Sequence, residues 1–328
     1  MRLSVLDTSP IVAGSDARTA LANTVDLAVL ADELGCHRYW VPEHHGMRGV
    51  ASAAPAVLAG RLADATRRIR VGAGGVLLPN HAPIVVAEQF GTLAALHPGR
   101  IDLGLGRAPG GSRRAADAVR SERERTAKGF EQQVAELLGY FDPDGDEAVR
   151  AVPAVGNAPE VWILGSSTAS ARLAGSLGLA YAFAHHLNPG DAVAALRTYR
   201  AGFRPAPGRT CAPASLLSVS VIAADTDEHA ERLAGPTRLK VLSRLRGRRI
   251  LLPSPEDAAA YPYTDADRAE IAARAGGVLT GSPDTLRSRL RDLLDRTGAG
   301  ELMVTTPVYA HADRRRSYEL LAGVAATL

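Results

Sequence analysis

The chain has 328 residues, 46% of them hydrophobic and 22% charged, with a mean hydropathy of −0.03. Those proportions exclude a disordered chain and supply a sizeable core, enough for two domains of ~150 residues or one larger one. The formal net charge is +3, but Lys128 and Lys240 are the only lysines, so 36 of the 38 basic residues are Arg. Because 35 acidic residues are interspersed among them, the charge reads as solvated surface, and no nucleic-acid partner is expected.

Two cysteines, Cys36 and Cys211, are too few for a disulfide framework and too isolated for zinc, so each reads as a buried or neutral side chain and no metal site is expected. The opening MRLSVLDTSP lacks the layout of a signal peptide. The longest uncharged run, Leu173 to Gly190, contains His185, His186, Asn188 and Pro189 and does not suit a bilayer. A cytoplasmic protein without a membrane partner is expected.

In chain order, Leu3–Leu6 predicts a strand, and Thr19–Leu34 an amphipathic helix with Gly35 placed to end it. Arg38–Val41 is a strand ended by Pro42, Ser52–Thr66 a helix, and Ile69–Leu78 a strand with glycines in its middle. Pro83–Leu96 is a helix with Pro in its first turn, and Arg100–Gly106 the fourth strand. A charged stretch, Ser112–Lys128, leads into a helix ending near Leu138. Then come a strand over Val161–Leu164, a helix over Thr168–Leu177, a strand over Ala180–Ala184 and a helix over Ala192–Arg200. Leu216–Ala223 and Leu302–Thr306 are the last strands, and Ala312–Ala326 a closing helix.

Eight strands alternating with helices imply right-handed βαβ units and a parallel sheet. The count fits an α/β fold of the (β/α)8 TIM-barrel type, whose core takes ~250 residues and leaves room for insertions. The largest insertion lies between strands seven and eight. One domain over 1–328 is expected, with 225–276 as an excursion and candidate lid. A doubly wound dinucleotide fold competes weakly: Gly104, Gly106 and Gly110 are wrongly spaced, and Pro109 interrupts the turn.

A barrel places its active site at the C-terminal strand ends. Glu43-His44-His45 follows strand two, and suits either proton transfer or a structural hydrogen bond beneath a loop. Neighbouring side chains on a strand point apart, which disfavours one metal between the two histidines. Gly72, Gly74 and Gly75 mark either a tight barrel corner or the approach of a flat ligand to the backbone. Arg107, after strand four, is either a phosphate clamp or one more surface Arg. Gly165-Ser166-Ser167-Thr168-Ala169-Ser170 leads into a helix and offers a plain N-cap, an anion site, or both.

Taken in order, these motifs resemble the bacterial luciferase-like monooxygenases, a flavin-dependent barrel family. Trp40-Val41-Pro42-Glu43-His44-His45, Val71-Gly72-Ala73-Gly74-Gly75-Val76, His97-Pro98-Gly99-Arg100-Ile101 and Thr280-Gly281-Ser282-Pro283 carry the likeness over nearly the whole chain. The resemblance implies that His44 handles protons beside the flavin, with Glu43 and His45 as neighbours. It implies a bulge at Gly74-Gly75, often with a non-prolyl cis peptide, on which the isoalloxazine rests. It places the flavin phosphate at Arg107, Gly165, Ser166, Ser167 and Ser170. True luciferases have an acid at the position of Ser166 and a thiol at that of Gly106, so flavin binding is implied more directly than light emission. The implied activity is a monooxygenase using reduced FMN and O2 on a small organic substrate, supplied by a separate flavin reductase and forming a homodimer. Alternatives are an F420-dependent hydride-transfer enzyme on the same fold and a non-catalytic flavin-binding protein.

Overall fold

The computed structural model describes residues 1–108, 112–145, 149–206, 211–273 and 277–328. Its elements are β1 (Arg2–Leu6), α1 (Ala17–Glu33), β2 (Arg38–Val41), α2 (Pro55–Ala65), β3 (Arg70–Leu77), α3 (Pro83–Leu96) and β4 (Ile101–Gly106). After these come α4 (Arg113–Val119), α5 (Glu122–Thr126), α6 (Phe130–Gly139), β5 (Glu160–Gly165), α7 (Thr168–Ser176), β6 (Ala180–Ala184) and α8 (Ala192–Gly202). The chain continues through β7 (Ser215–Ala223), α9 (Asp227–Leu245), α10 (Pro255–Ala260) and α11 (Asp265–Ala272). It ends with β8 (Val278–Gly281), α12 (Pro283–Thr297), β9 (Glu301–Thr305) and α13 (His311–Ala325).

Eight parallel strands close into a ring in the order β1, β2, β3, β4, β5, β6, β7, β9. Closure is made by Ala182 of β6 opposite Leu216 of β7, Leu217 opposite Leu302 of β9, and Val5 of β1 opposite Val304. All eight ring strands lie within one residue of their predicted bounds. They are mainly apolar because a parallel sheet covered by helices is buried on both faces, with the charged residues gathered at the N-terminal end.

Local signals set the helix ends. Asp16 caps α1 by accepting from Thr19 N–H at 2.8 Å, and Gly35 turns the chain at its far end with φ +75°. The charged stretch after β4 forms two short helices, α4 and α5, ahead of α6. Pro109, Gly110 and Gly111 lie outside the described residues, as do 274–276 at the end of the expected insertion.

The structure adds a ninth strand. Ser220 of β7 pairs with Thr305 of β9 on one side and with Val278 of β8 on the other. β8 therefore lies along the upper half of β7, beyond the stretch that β6 covers. Four residues after a polar insertion leave too short an apolar run to register as a strand. α12 is also new, although Leu286, Leu290, Leu293 and Leu294 follow helical spacing and Gly298 ends it with φ +61°. Inside the insertion stands the 19-residue α9, whose Pro236 and charged surface hide its periodicity.

Side chains pointing into the ring form two layers. Leu6, Trp40, Trp162, Ala180, Ala182, Leu216 and Met303 make an apolar middle, where the two indoles meet edge to face at 5.5 Å. Below it, at the N-terminal end, Arg38 is buried with Nε 2.8 Å from Glu301 and Nη1 2.9 Å from Asp102. Its guanidinium also lies 4.5 Å from the Trp162 ring centre. Trp40 Nε1–H and Arg70 both donate to Asp102. Burial disfavours the Arg38 cation, but the charges of Asp102, Glu301 and Glu160 more than reverse this and raise its pKa.

Of the cysteines, Cys36 is buried, with its thiol pushed up to about 12 by burial. Cys211 is exposed. No described helix is long and apolar enough to cross a membrane.

Replacing Arg38 by Met leaves Glu301 buried without its counter-charge and Asp102 with Arg70 alone. The variant should lose about 3–5 kcal/mol of stability, as is usual when one partner of a buried ion pair is removed. Urea unfolding measures it, and a loss below about 1 kcal/mol, the range of surface pairs, would contradict the assignment.

Candidate active site

At the C-terminal end of the ring, the polar residues after β2 and β3 are organised by one carboxylate. Glu43 is 1% exposed and its backbone N–H donates to Gly75 O at 3.2 Å. Its Oε1 meets His45 Nε2 at 2.7 Å and His81 Nε2 at 2.8 Å, while Oε2 accepts from Leu77 N–H at 2.9 Å. An ionised carboxylate only accepts, so both imidazoles present Nε2–H to it. Burial alone would raise the Glu43 carboxyl; the hydrogen bonds and charge of His81, then His45 and Leu77 N–H, outweigh it and hold the carboxyl below its usual range.

His44 does not join that cluster. Its backbone N–H donates to Ser52 O at 3.0 Å, and its ring makes no hydrogen bond to Glu43 or His45. Its Nδ1 is buried with no partner among the described residues. Burial lowers its pKa against the opposing charge of Glu43, and His45 and His186 lower it further, so the ring is neutral near pH 7. His186, after β6, is anchored at Nδ1 to Ser218 Oγ at 3.1 Å.

Gly74 and Gly75 sit in a bulge of β3, where the pairing with β4 shifts between Ala73 and Val76, and the bond joining them is cis. A Cβ on Gly74 would lie 2.9 Å from Leu6 and 3.0 Å from Trp40; one on Gly75 would lie 2.5 Å from Gly104 O. The ring interior thus requires glycine at both positions.

Across the mouth, Ser167 caps α7, its Oγ accepting from Ser170 N–H at 3.4 Å. The Ser170 hydroxyl is already engaged, 2.8 Å from Ser167 O and 3.0 Å from the Tyr181 hydroxyl. Gly165 is needed because a Cβ there would strike Ser170 Oγ. Ser166 gives its carbonyl to Asn188 Nδ2 at 2.9 Å. Leu105 of β4 stands opposite Ile163 of β5, and Arg107 follows the end of β4; it is exposed and has no ion pair to a described residue.

The structure thus gathers Glu43, His45 and His81 at one point and leaves His44 outside their hydrogen bonds. His81 is the residue that the sequence reading missed. It follows a ring strand, and that placement was the available signal. Among the described residues, no group of three or more His, Cys, Asp or Glu could hold a metal.

A closed parallel barrel with buried titratable groups at its C-terminal mouth defines a TIM-barrel enzyme. The luciferase-like monooxygenase profile matches residues 1–301. A luciferase-like monooxygenase of Escherichia coli K12 is 42% identical over 322 residues, covering 98% of this chain and 96% of that protein. An N-acetyl-S-alkylcysteine monooxygenase of Bacillus subtilis 168 is 36% identical over 328 residues, covering 98% and 97%. The crystal structure of apo-MsnO8 superposes with a TM-score of 0.92 at 39% identity, covering 99% and 98%. The chain belongs to the luciferase-like monooxygenase family, a class of flavin-dependent oxidoreductases.

The Glu43 carboxyl titrates lower in the folded chain than in the unfolded one, where it lies near 4.3. Its ion therefore stabilises the fold above about pH 4.3, and this contribution is lost as pH falls through the lower folded value. Glu43→Gln should cost about 1–3 kcal/mol at pH 7 and flatten the loss of stability between about pH 5 and 3. Chemical denaturation at stepped pH reads both, and an unchanged acid limb would contradict the assignment.

Proposed function

We propose that His44 is the proton-transfer residue of this FMN-dependent monooxygenase, acting with O2 on an organic substrate. The observation that carries this is its neutral ring, with Nδ1 buried and unpartnered at the barrel mouth, three residues after β2. The residues present also fit the flavin. α7 offers free backbone N–H groups to a phosphate dianion, with the exposed Arg107 alongside. The bulge at Gly74-Gly75 presents bare backbone on which a flat ring can lie.

Bound in reduced form, FMN supplies the two electrons that divide O2 between the oxygenated substrate and water. The protein's own part is narrower. Neutral His44 accepts or returns a proton at Nδ1, while Glu43, held by His45 and His81, fixes the loop that carries it. Arg107, Ser166 and Ser167 hold the phosphate, and Gly165 and Ser170 shape the turn. The family implies a two-component flavin system, and the finer reading is a separate reductase that delivers reduced FMN. The F420 alternative is the weaker, since the family profile and the named relatives are monooxygenases.

Two further readings complete the proposal. The chain acts as a cytoplasmic homodimer through α2 and α3, whose surfaces expose Val57, Val85 and Leu96. It is one domain in which 225–276 forms the lid. Sedimentation velocity tests the dimer, with one-chain mass ruling it out; hydrogen exchange across 225–273, if unaltered by FMN, rules out the lid.

Mixed with reduced FMN and then O2, the protein should delay flavin reoxidation well beyond the rate of free reduced FMN. His44→Asn should keep flavin affinity while lowering product formation about 10²–10⁴-fold. In the parent protein, activity should rise with pH along a limb centred below the usual histidine value of about 6.5, because the His44 pKa is lowered. That limb should vanish in the variant; equal activity in both would remove His44 from the role. Arg107→Ala should weaken FMN about tenfold and leave riboflavin, which lacks the phosphate, unaffected. Equal losses for both flavins would place Arg107 elsewhere.

A further inference from the structure

Lys240 stands apart from the chain's other cations. It is one of two lysines in an Arg-dominated protein, and the other, Lys128, pairs with Glu136 at 2.6 Å on the surface. Lys240 lies on α9, about 20 Å along the helix from its start at the end of β7. The same face of α9 rests on the barrel mouth: Thr237 Oγ1 donates to Pro307 O, in the loop after β9, at 2.7 Å. One turn further on, a Cβ on Gly49 would stand 3.5 Å from Lys240 Nζ, 3.6 Å from Leu251 and 3.7 Å from Ile11 O.

Gly49 is in the loop that carries Glu43, His44 and His45, and Ile11 follows β1. Backbone bonds join these segments: Ile11 N–H donates to Gly49 O at 3.1 Å and Ala13 N–H to Leu252 O at 2.9 Å. Lys240 is thus fixed over the β1–β2 side of the mouth. The start of α7, proposed above for the flavin phosphate, follows β5, which is opposite β1 in the eight-strand ring.

No described residue gives Lys240 a hydrogen bond or a counter-ion. Burial, with the charge of Arg244 adding to it, holds its amine below the ordinary lysine range. A partly desolvated ammonium without an acceptor is costly to maintain unless a ligand completes it. A glycine at 49 leaves the space beside the amine unfilled by a side chain.

Resting on the monooxygenase reading, we infer that Lys240 binds an anionic group of the organic substrate, a carboxylate in the simplest case, on the side of the mouth opposite the flavin phosphate. The oxygenated atom then lies between the two anion sites, near His44. The substrate class becomes an apolar acid held by its charged end, and Lys240 a specificity-determining residue.

Two lysines make the test direct. Octanoate and N-acetyl-S-benzylcysteine, each alongside its primary amide, are added to the FMN-loaded protein before brief treatment with acetic anhydride. Peptide mass spectrometry reads acetylation of Lys240 against Lys128 as the internal reference. At least one acid should slow labelling of Lys240 about tenfold more than its amide does. Calorimetry should show that acid binding about tenfold more weakly to Lys240→Met and near normally to Lys240→Arg, with the amide unchanged. Acid and amide protecting alike, no acid protecting, or Lys240→Met retaining the preference each overturns the inference. FMN and riboflavin titrations of Lys240→Met distinguish the sources of the anion: weakened FMN alone would give the amine to the flavin phosphate and overturn the proposal. Flavin reoxidation in the parent protein reports separately on the monooxygenase reading.

Discussion

The arrangement of the barrel mouth depends on one guanidinium at its opposite end. Arg38 is held by Glu301 and Asp102, and Asp102 in turn receives the indole N–H of Trp40. Trp40 is therefore not free to shift, and its ring atoms occupy the place where a side chain on Gly74 would go. The shape of β3 at its C-terminal end thus follows from charges at the N-terminal end. A barrel interior is packed rather than hollow, so such a constraint passes directly from layer to layer. Polar chemistry is then left to the end that this floor does not close.

At that end, Glu43 divides the histidines by function. By binding His45 and His81 it ties the loop after β2 to the end of β3, and by occupying them it leaves His44 unclaimed. Two fixed and one free give a neutral ring beside an ionised, buried acid. Pairs of titratable groups whose surroundings push their pKa values in useful directions are a common property of catalytic sites.

Much of this was legible in the sequence. The ring strands were readable because each is a short apolar run bounded by Pro, Gly or charge, and the alternation with helices fixed the closed topology. Glu43, His44, Arg107 and the Gly165-Ser166-Ser167 turn could be placed at the mouth because each follows a ring strand, the end at which barrel enzymes keep their chemistry. The sequence could not divide Glu43-His44-His45 into a cluster and a free ring, since that depends on His81, reached through a turn after β3. Nor did it separate β8 from the insertion before it: a four-residue strand is defined by its partner more than by its own composition. The middle glycines were ambiguous for a similar reason, because Trp40 and Gly104, distant in sequence, decide what space each has.

The insertion after β7 is stitched together at its base. Ala224 N–H donates to Gly281 O, and Asp227 receives both Ser282 N–H and the Thr285 hydroxyl. Its exit and return are thus neighbours, and the helices between them form a loop closed upon itself. Lengthening such a loop costs little, since closure entropy grows only with the logarithm of its length. The segment that carries Lys240 can change in size and sequence while the ring stays in place, so new selectivity can be acquired without rebuilding the machinery beneath it.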